Sequence, residues 1–297
     1  MKPGLDSTSP ALIVGCGDIG LRVARQLLDR GIAVHGQVRS TASAQALSQA
    51  GITPVIADLD APATTAAENY ELVFWFAPPP PSGDGDPRIR AWLAHNTPQR
   101  LVYISTSGVY GDCGNRWIDE TEPCKPQTPR GRRRVDAEAA LADHAERGGT
   151  EVVILRVPGI YGPGRMPLER LRQGLPVIVE SESPTTNRIH ADDLAGAAIA
   201  AAEHGQAGAA YNVSDGSPTT MTDYFCRCAA LLGLPEPRRV GMDEARRTFT
   251  PAMLSFLEES KRLLTSRMRH ELGFAPRYPD LASGLPTCIT GPETARK

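Results

Sequence analysis

The chain has 297 residues, 41% of them apolar, enough to bury a substantial core without disulfide staples. Its 32 basic and 34 acidic side chains leave a formal charge of -2, which gives no general field for holding DNA or RNA. No secretory h-region and no apolar run of about 20 residues is present, so the expectation is a cytoplasmic protein without a membrane segment. The six cysteines, Cys16, Cys113, Cys124, Cys226, Cys228 and Cys288, form no Cys-x-x-Cys pair. Reduced thiols and no metal site follow from that spacing.

The first half of the chain alternates strand and helix patterns. Ala11–Val14 reads as a short buried strand, and Ile19–Leu28 as a helix with Ile19, Val23, Leu27 and Leu28 on one side. A strand over Val34–Val38, a helix over Ser43–Gln49 and a strand over Val55–Ala57 follow. Leu72–Phe76 is apolar throughout, as a strand covered on both faces should be. Leu101–Ser105 and Glu151–Val157 are further strands, with a helix over Val135–Glu146 between them. Pro78–Pro87 and Gly111–Pro129 lack periodicity and read as irregular loops. Beyond Tyr161 the composition changes. Helices are expected over Leu168–Leu175 and Thr222–Leu232, two more within Phe249–Leu272, and a buried one around Ala195–Ala202. The fold class is therefore α/β, a doubly wound, mostly parallel Rossmann sheet with a smaller discontinuous C-terminal lobe. The expected division is residues 1–161 plus 187–211 for the dinucleotide-binding domain. Residues 162–186 plus 212–297 then make the substrate-binding lobe.

Gly15-Cys16-Gly17-Asp18-Ile19-Gly20 has the form Gly-x-Gly-x-x-Gly, directly after an apolar strand and opening a helix. Gly15 permits the turn, Gly17 the approach of a pyrophosphate and Gly20 close packing of helix on sheet. The helix N-terminus adds N–H donors and partial positive charge. At the end of the second strand an acid would bind ribose hydroxyls. Arg39-Ser40 stand there instead, and a guanidinium with a hydroxyl suits a 2′-phosphate, which points to NADP with NAD as the alternative. Arg39 could equally be an exposed arginine. Asp58, with Leu59 beside it, lies near the expected adenine or caps a turn. Ala77 and Pro78, at the end of the fourth strand, are expected along the cofactor, as are Ser105 and Pro158. Hydroxyls in Ser105-Thr106-Ser107 can orient a reacting oxygen or merely satisfy their own loop.

Taken together, several segments resemble the extended short-chain dehydrogenase/reductase family in its NAD-dependent epimerase/dehydratase branch. They are the glycine loop, Ser105-Thr106-Ser107-Gly108-Val109-Tyr110-Gly111, the run Leu155 to Gly164, Arg188 to Ala195, and Tyr211 to Gly216. The glycine spacing is tighter than the family's usual Gly-x-x-Gly-x-x-Gly and is similar to atypical members. The resemblance implies that Thr106 bonds the substrate oxygen. It also implies a Tyr-x-x-x-Lys pair, but the register between Pro129 and Glu138 puts Arg130 at the tyrosine and Arg134 at the lysine. Arg134 could still hold ribose hydroxyls. Arg130 has no acceptor and stays protonated, so it cannot act as a general base.

Two readings follow. In one, Arg130 clamps an anionic group of a small polar or nucleotide-linked substrate, and Tyr110, Tyr161 or His190 exchanges the proton. In the other, the protein binds dinucleotide without turnover, as a sensor or interaction protein. The arginines could also be a solvated helix face, with Arg132–Asp136 and Arg134–Glu138 as pairs four residues apart. His190 with Asp192 and Asp193 suggests acid–base or metal work, or simply a helix start. The family often pairs through helices flanking the sheet, which implies a homodimer through residues 87–94 and 135–146.

Overall fold

The computed structural model describes residues 9–61 and 70–289. The expected starts and ends of the two lobes, residues 1–8 and 290–297, lie outside the described residues. Strands β1 (Ala11–Val14), β2 (Val34–Val38), β3 (Thr53–Ile56), β4 (Leu72–Trp75) and β5 (Arg100–Thr106) come first in the chain. The short β6 (Trp117–Ile118), then β7 (Glu151–Val157), follow. With Ala210–Asn212 as its far edge, the seven-stranded sheet runs Ala210–Asn212, β7, β5, β4, β1, β2, β3, and every pairing is parallel. The order reverses between β1 and β4. In doubly wound sheets that crevice, at the strand C-terminal ends, receives the ligand.

Side chains alternate across the pleat and so divide into two apolar layers. Ile13, Phe74, Val102 and Leu155 meet helices α1 (Asp18–Leu28) and the Ala-rich Ala191–His204 on one face. Leu12, Val14, Trp75, Leu101 and Tyr103 meet α3 (Pro87–Leu93) and α4 (Pro129–Glu146) on the other. Between them in sequence, α2 (Thr41–Gln49) packs Ala44 and Leu47 inward. A third apolar cluster, with Tyr161, Leu171, Tyr224, Phe225, Leu281 and Leu285, belongs to the smaller C-terminal elements.

Helix α4 begins six residues before the expected Val135, and the reason is local. Thr128 accepts the Gly131 N–H in its side chain, and Pro129 occupies the first turn, where its missing N–H costs nothing. The arginine run is therefore helical, and Arg130 and Arg134 lie one turn apart. The two expected pairs within this helix are not formed. Arg132 bonds Asp84, Asp136 bonds Arg90, and Glu138 bonds Arg156. Arg133 donates to the Gly83 carbonyl at 3.0 Å, so the helix is stitched to the irregular segment before α3.

Candidate functional site

Two cavities meet at the C-terminal ends of β1, β4 and β5. One, of about 600 Å³, is lined by the whole Gly15–Gly20 loop, Arg39, Asp58, Leu59, Ala77 and Pro78. The other, of about 500 Å³, is lined by Ser105, Thr106, Gly108, Arg130 and Pro158. Ile104, Arg134 and Ile160 border both, so they mark the passage between them.

The loop suits a phosphate cradle for stated reasons. Gly15 has φ +81°, and a Cβ there would run into the Ala77 backbone nitrogen at 2.5 Å. A Cβ on Gly17 would meet nothing within 4 Å, so this glycine faces open space instead of packing. The α1 N-terminus carries no side-chain cap, whereas α2, α3 and α4 are capped by Ser40, Asp86 and Thr128. Its first N–H groups thus remain available to a ligand. Asp18 turns aside and pairs with Arg22 and Arg165. Burial alone would raise its pKa, but the two arginines hold the carboxyl below its ordinary range. The Cys16 thiol is buried under the loop, and burial pushes it up to about 12.

Arg39 lines the glycine-loop pocket. Ser40 does not line it: its hydroxyl caps α2, accepting the Ser43 N–H at 3.2 Å and donating to Ser43 Oγ at 2.9 Å. Ser43 is the hydroxyl that the pocket wall contains. Asp58 lines the pocket and also accepts the Asp60 N–H at 3.0 Å, capping a turn.

Thr106 Oγ1 accepts the Gly108 N–H at 3.2 Å, which leaves its O–H to donate into the cavity. Arg134 donates to the Tyr103 hydroxyl at 3.0 Å and to the Ile104 carbonyl, and so is held in the passage. Arg130 lines the larger-lobe wall of the chamber. Desolvation, with Arg134 and Arg133 close by, lowers its pKa, while Glu259 opposes that shift. Ser105 is buried and donates to Glu138, so its hydroxyl supports the wall.

The three expected proton carriers are not brought into either cavity. Tyr110 is 1% exposed, donates to Asn212 Oδ1 at 2.8 Å and accepts from Arg156 at 3.0 Å. Tyr161 is 1% exposed and donates to the Asp280 carbonyl at 3.2 Å. Burial drives both phenols upward, further from use as bases. His190 is fully buried, caps the Ala191–His204 helix by accepting the Asp192 N–H at 3.2 Å, and shares a hydrogen bond with Thr287 at 3.0 Å. Burial lowers its pKa, as befits a neutral structural ring. Among the described residues no cluster of three His, Cys, Asp or Glu side chains could hold a metal, and no helix is long and apolar enough to cross a membrane.

The sequence profile of the NAD dependent epimerase/dehydratase family matches residues 85–214. A functionally unknown conserved protein from Silicibacter pomeroyi superposes with TM-score 0.79 at 31% identity, covering 94% of this chain and 97% of that one. By this profile the chain matches the NAD-dependent epimerase/dehydratase family. Among curated relatives, protein YeeZ of Escherichia coli K12 is 28% identical over 283 residues, 90% of this chain and 96% of YeeZ. The dTDP-glucose 4,6-dehydratase DesIV from Streptomyces venezuelae, solved with NAD and TYD bound, has TM-score 0.77 at 20% identity, covering 94% and 95% of the two chains, a likeness of fold.

Several wall residues were not singled out in the sequence. Arg88 reaches the glycine-loop pocket from α3, paired with Asp60 at 2.5 Å. Arg165 arrives from the turn after Tyr161, Tyr224, Glu259 and Lys261 from the second half of the chain, and Arg188 from the Arg188–Ala195 segment that carries the resemblance. Tertiary packing delivers each of them to the wall.

Proposed function

We propose that the protein is an NADP(H)-dependent oxidoreductase or epimerase/dehydratase-type enzyme acting on a small polar substrate that carries an anionic group. The observation that carries this reading is the passage at Ile104, Arg134 and Ile160. It joins an uncapped glycine-loop pocket to a chamber holding Thr106 and Arg130. The Gly15–Gly20 loop would hold the pyrophosphate, Arg39 the 2′-phosphate and Arg134 the nicotinamide ribose. When bound, the dinucleotide supplies a two-electron donor or acceptor. Thr106 then orients the substrate oxygen, and Arg130 holds an anion or a polarised oxygen by charge-assisted hydrogen bonds. DesIV is described with NAD, but Arg39 favours the phosphorylated form here.

Calorimetric titration with NADPH and NADH tests the cofactor. One charge-assisted phosphate contact contributes about 1.5–3 kcal/mol, so NADPH should bind about tenfold or more tighter than NADH. Arg39→Ala should erase that difference by weakening NADPH alone. Equal affinities in the wild-type chain would contradict the assignment. The non-catalytic reading rests on the same Arg130 and Arg134 replacements. It predicts dinucleotide binding with no oxidation of NADPH by any anionic carbonyl compound.

A further inference from the structure

The chamber has a carboxylate that the family resemblance does not supply. Glu259 and Lys261 flank Ser260 just beyond the helix Pro251–Leu257, and both line the wall facing Thr106. Lys261 Nζ donates to Glu259 Oε2 at 2.8 Å, with only 7% and 12% of the two side chains exposed. The segment is already pinned by its backbone. Ser260 N–H donates to Asp112 at 2.8 Å, Cys113 N–H donates to the Ser260 carbonyl at 3.1 Å, and Asn187 donates to the Lys261 carbonyl at 2.9 Å. The ion pair is therefore not needed to anchor it. Glu259 Oε1 is buried without a hydrogen-bond partner among the described residues, a state a fold normally avoids.

Its position relative to Thr106 is specific. A Cβ built on Gly108 would lie 3.5 Å from Thr106 Oγ1 and 4.0 Å from Glu259 Oε2. The hydroxyl and the carboxylate thus border a space the size of one methyl group, kept open by a glycine. The other charged groups lining the chamber are Lys261 from the same segment, Arg130 and Arg134 from α4, and Arg188 from the strand Arg188–His190. Arg188 stacks on Tyr224 at 3.8 Å, and its buried Nε also lacks a partner.

We propose that Glu259 is the proton-exchanging group of this chamber, with Lys261 as its positioning residue. The proposal rests on reading the chamber as a substrate site. A substrate hydroxyl held by Thr106 loses its O–H proton to Glu259, which becomes a neutral acid. The oxygen's freed electron pair forms the C=O π bond, and the carbon's hydrogen leaves with its two electrons to the oxidised dinucleotide. Reduction reverses each transfer. The substrate class is a hydroxyl-bearing anion, its negative group on Arg130 and its hydroxyl between Thr106 and Glu259. A carboxylate there opposes a second anion, so removing its charge must strengthen anion binding in the chamber.

Sulfate is the probe. Calorimetry of the full chain at one pH compares the wild type with Glu259→Gln, which should bind sulfate about tenfold more tightly because the opposing charge is gone. Glu259→Gln should also oxidise NADPH with anionic carbonyl compounds about 100-fold more slowly than the wild type. Gly108→Ala fills the shared space without a clash and should weaken sulfate binding while the melting curve stays cooperative. If Glu259→Gln does not fold because it strands Lys261, the double variant Glu259→Gln/Lys261→Met carries the same test. Sulfate binding unchanged or weakened by Glu259→Gln, a Glu259→Gln rate equal to that of the wild type, or no sulfate binding at all would overturn the proposal. NADPH titration of the same wild-type sample tests the dinucleotide reading separately. NADPH binding without the sulfate effect would sink Glu259 alone, whereas no NADPH binding would sink the broader reading.

Discussion

Gly17→Val is expected to weaken NADPH binding by about 100-fold or more while leaving the circular dichroism spectrum unchanged. The expectation combines two facts. The position has no neighbour within 4 Å to clash with, and its φ of -89° is open to any L-residue. The space beyond it is where the uncapped α1 N-terminus presents its donors. A branched side chain would displace a pyrophosphate from those N–H groups, and losing two charge-assisted bonds amounts to about 3–6 kcal/mol. Fluorescence titration gives the affinity. A folded variant that binds NADPH normally would mean that the loop is a strand-helix turn and no phosphate cradle.

Arg100→Ala should cost about 3–5 kcal/mol of stability and lower the melting temperature by on the order of 10 °C. Arg100 opens β5, at the end of the sheet away from the site, and is 1% exposed. Its Nη1 donates to the carbonyls of Ala201, Ala202 and Gly205 at 3.1, 3.1 and 3.0 Å. Those carbonyls lie at and just past the C-terminus of the helix Ala191–His204, where the Ala201 carbonyl also accepts the Gly205 N–H. The other face of the guanidinium pairs with Glu151 at 2.5 Å. Removing it leaves buried carbonyls unsatisfied and opens a void between sheet and helix. Differential scanning calorimetry measures the loss, and NADPH affinity of the folded fraction should not change. A melting shift below about 2 °C would show that water replaces the guanidinium without penalty.

The parallel sheet was readable because buried strands are continuous apolar runs and Gly-x-Gly-x-x-Gly needs a strand before it and a helix after it. Arg39 was readable because one strand end has one side chain facing the crevice. Polar residues inside the motif segments were harder. Tyr110, Tyr161 and His190 stand in segments shared with catalytic relatives, and a motif does not say which way a side chain points. In the fold they satisfy Asn212, Asp280 and Asp192, so their polarity serves burial. Arg132 and Arg134 had suitable acids four residues along. Asp84 and Tyr103 compete for them from other elements, and those contacts cannot be seen along one helix. Glu259 and Lys261 were invisible for the same reason: about 150 residues separate them from Thr106.

The central claim is that the glycine-loop pocket and the Thr106 chamber form one continuous site for a dinucleotide and its substrate. A crystal structure of the chain grown with NADP tests it most directly. The expected result is density along the Gly15–Gly20 loop, a 2′-phosphate at Arg39, and the nicotinamide end passing Arg134 into the chamber where Arg130 and Glu259 face Thr106. A cofactor that leaves Arg39 in solvent and ends short of Ile104, or an Arg130 turned to bulk water away from Thr106, would contradict it.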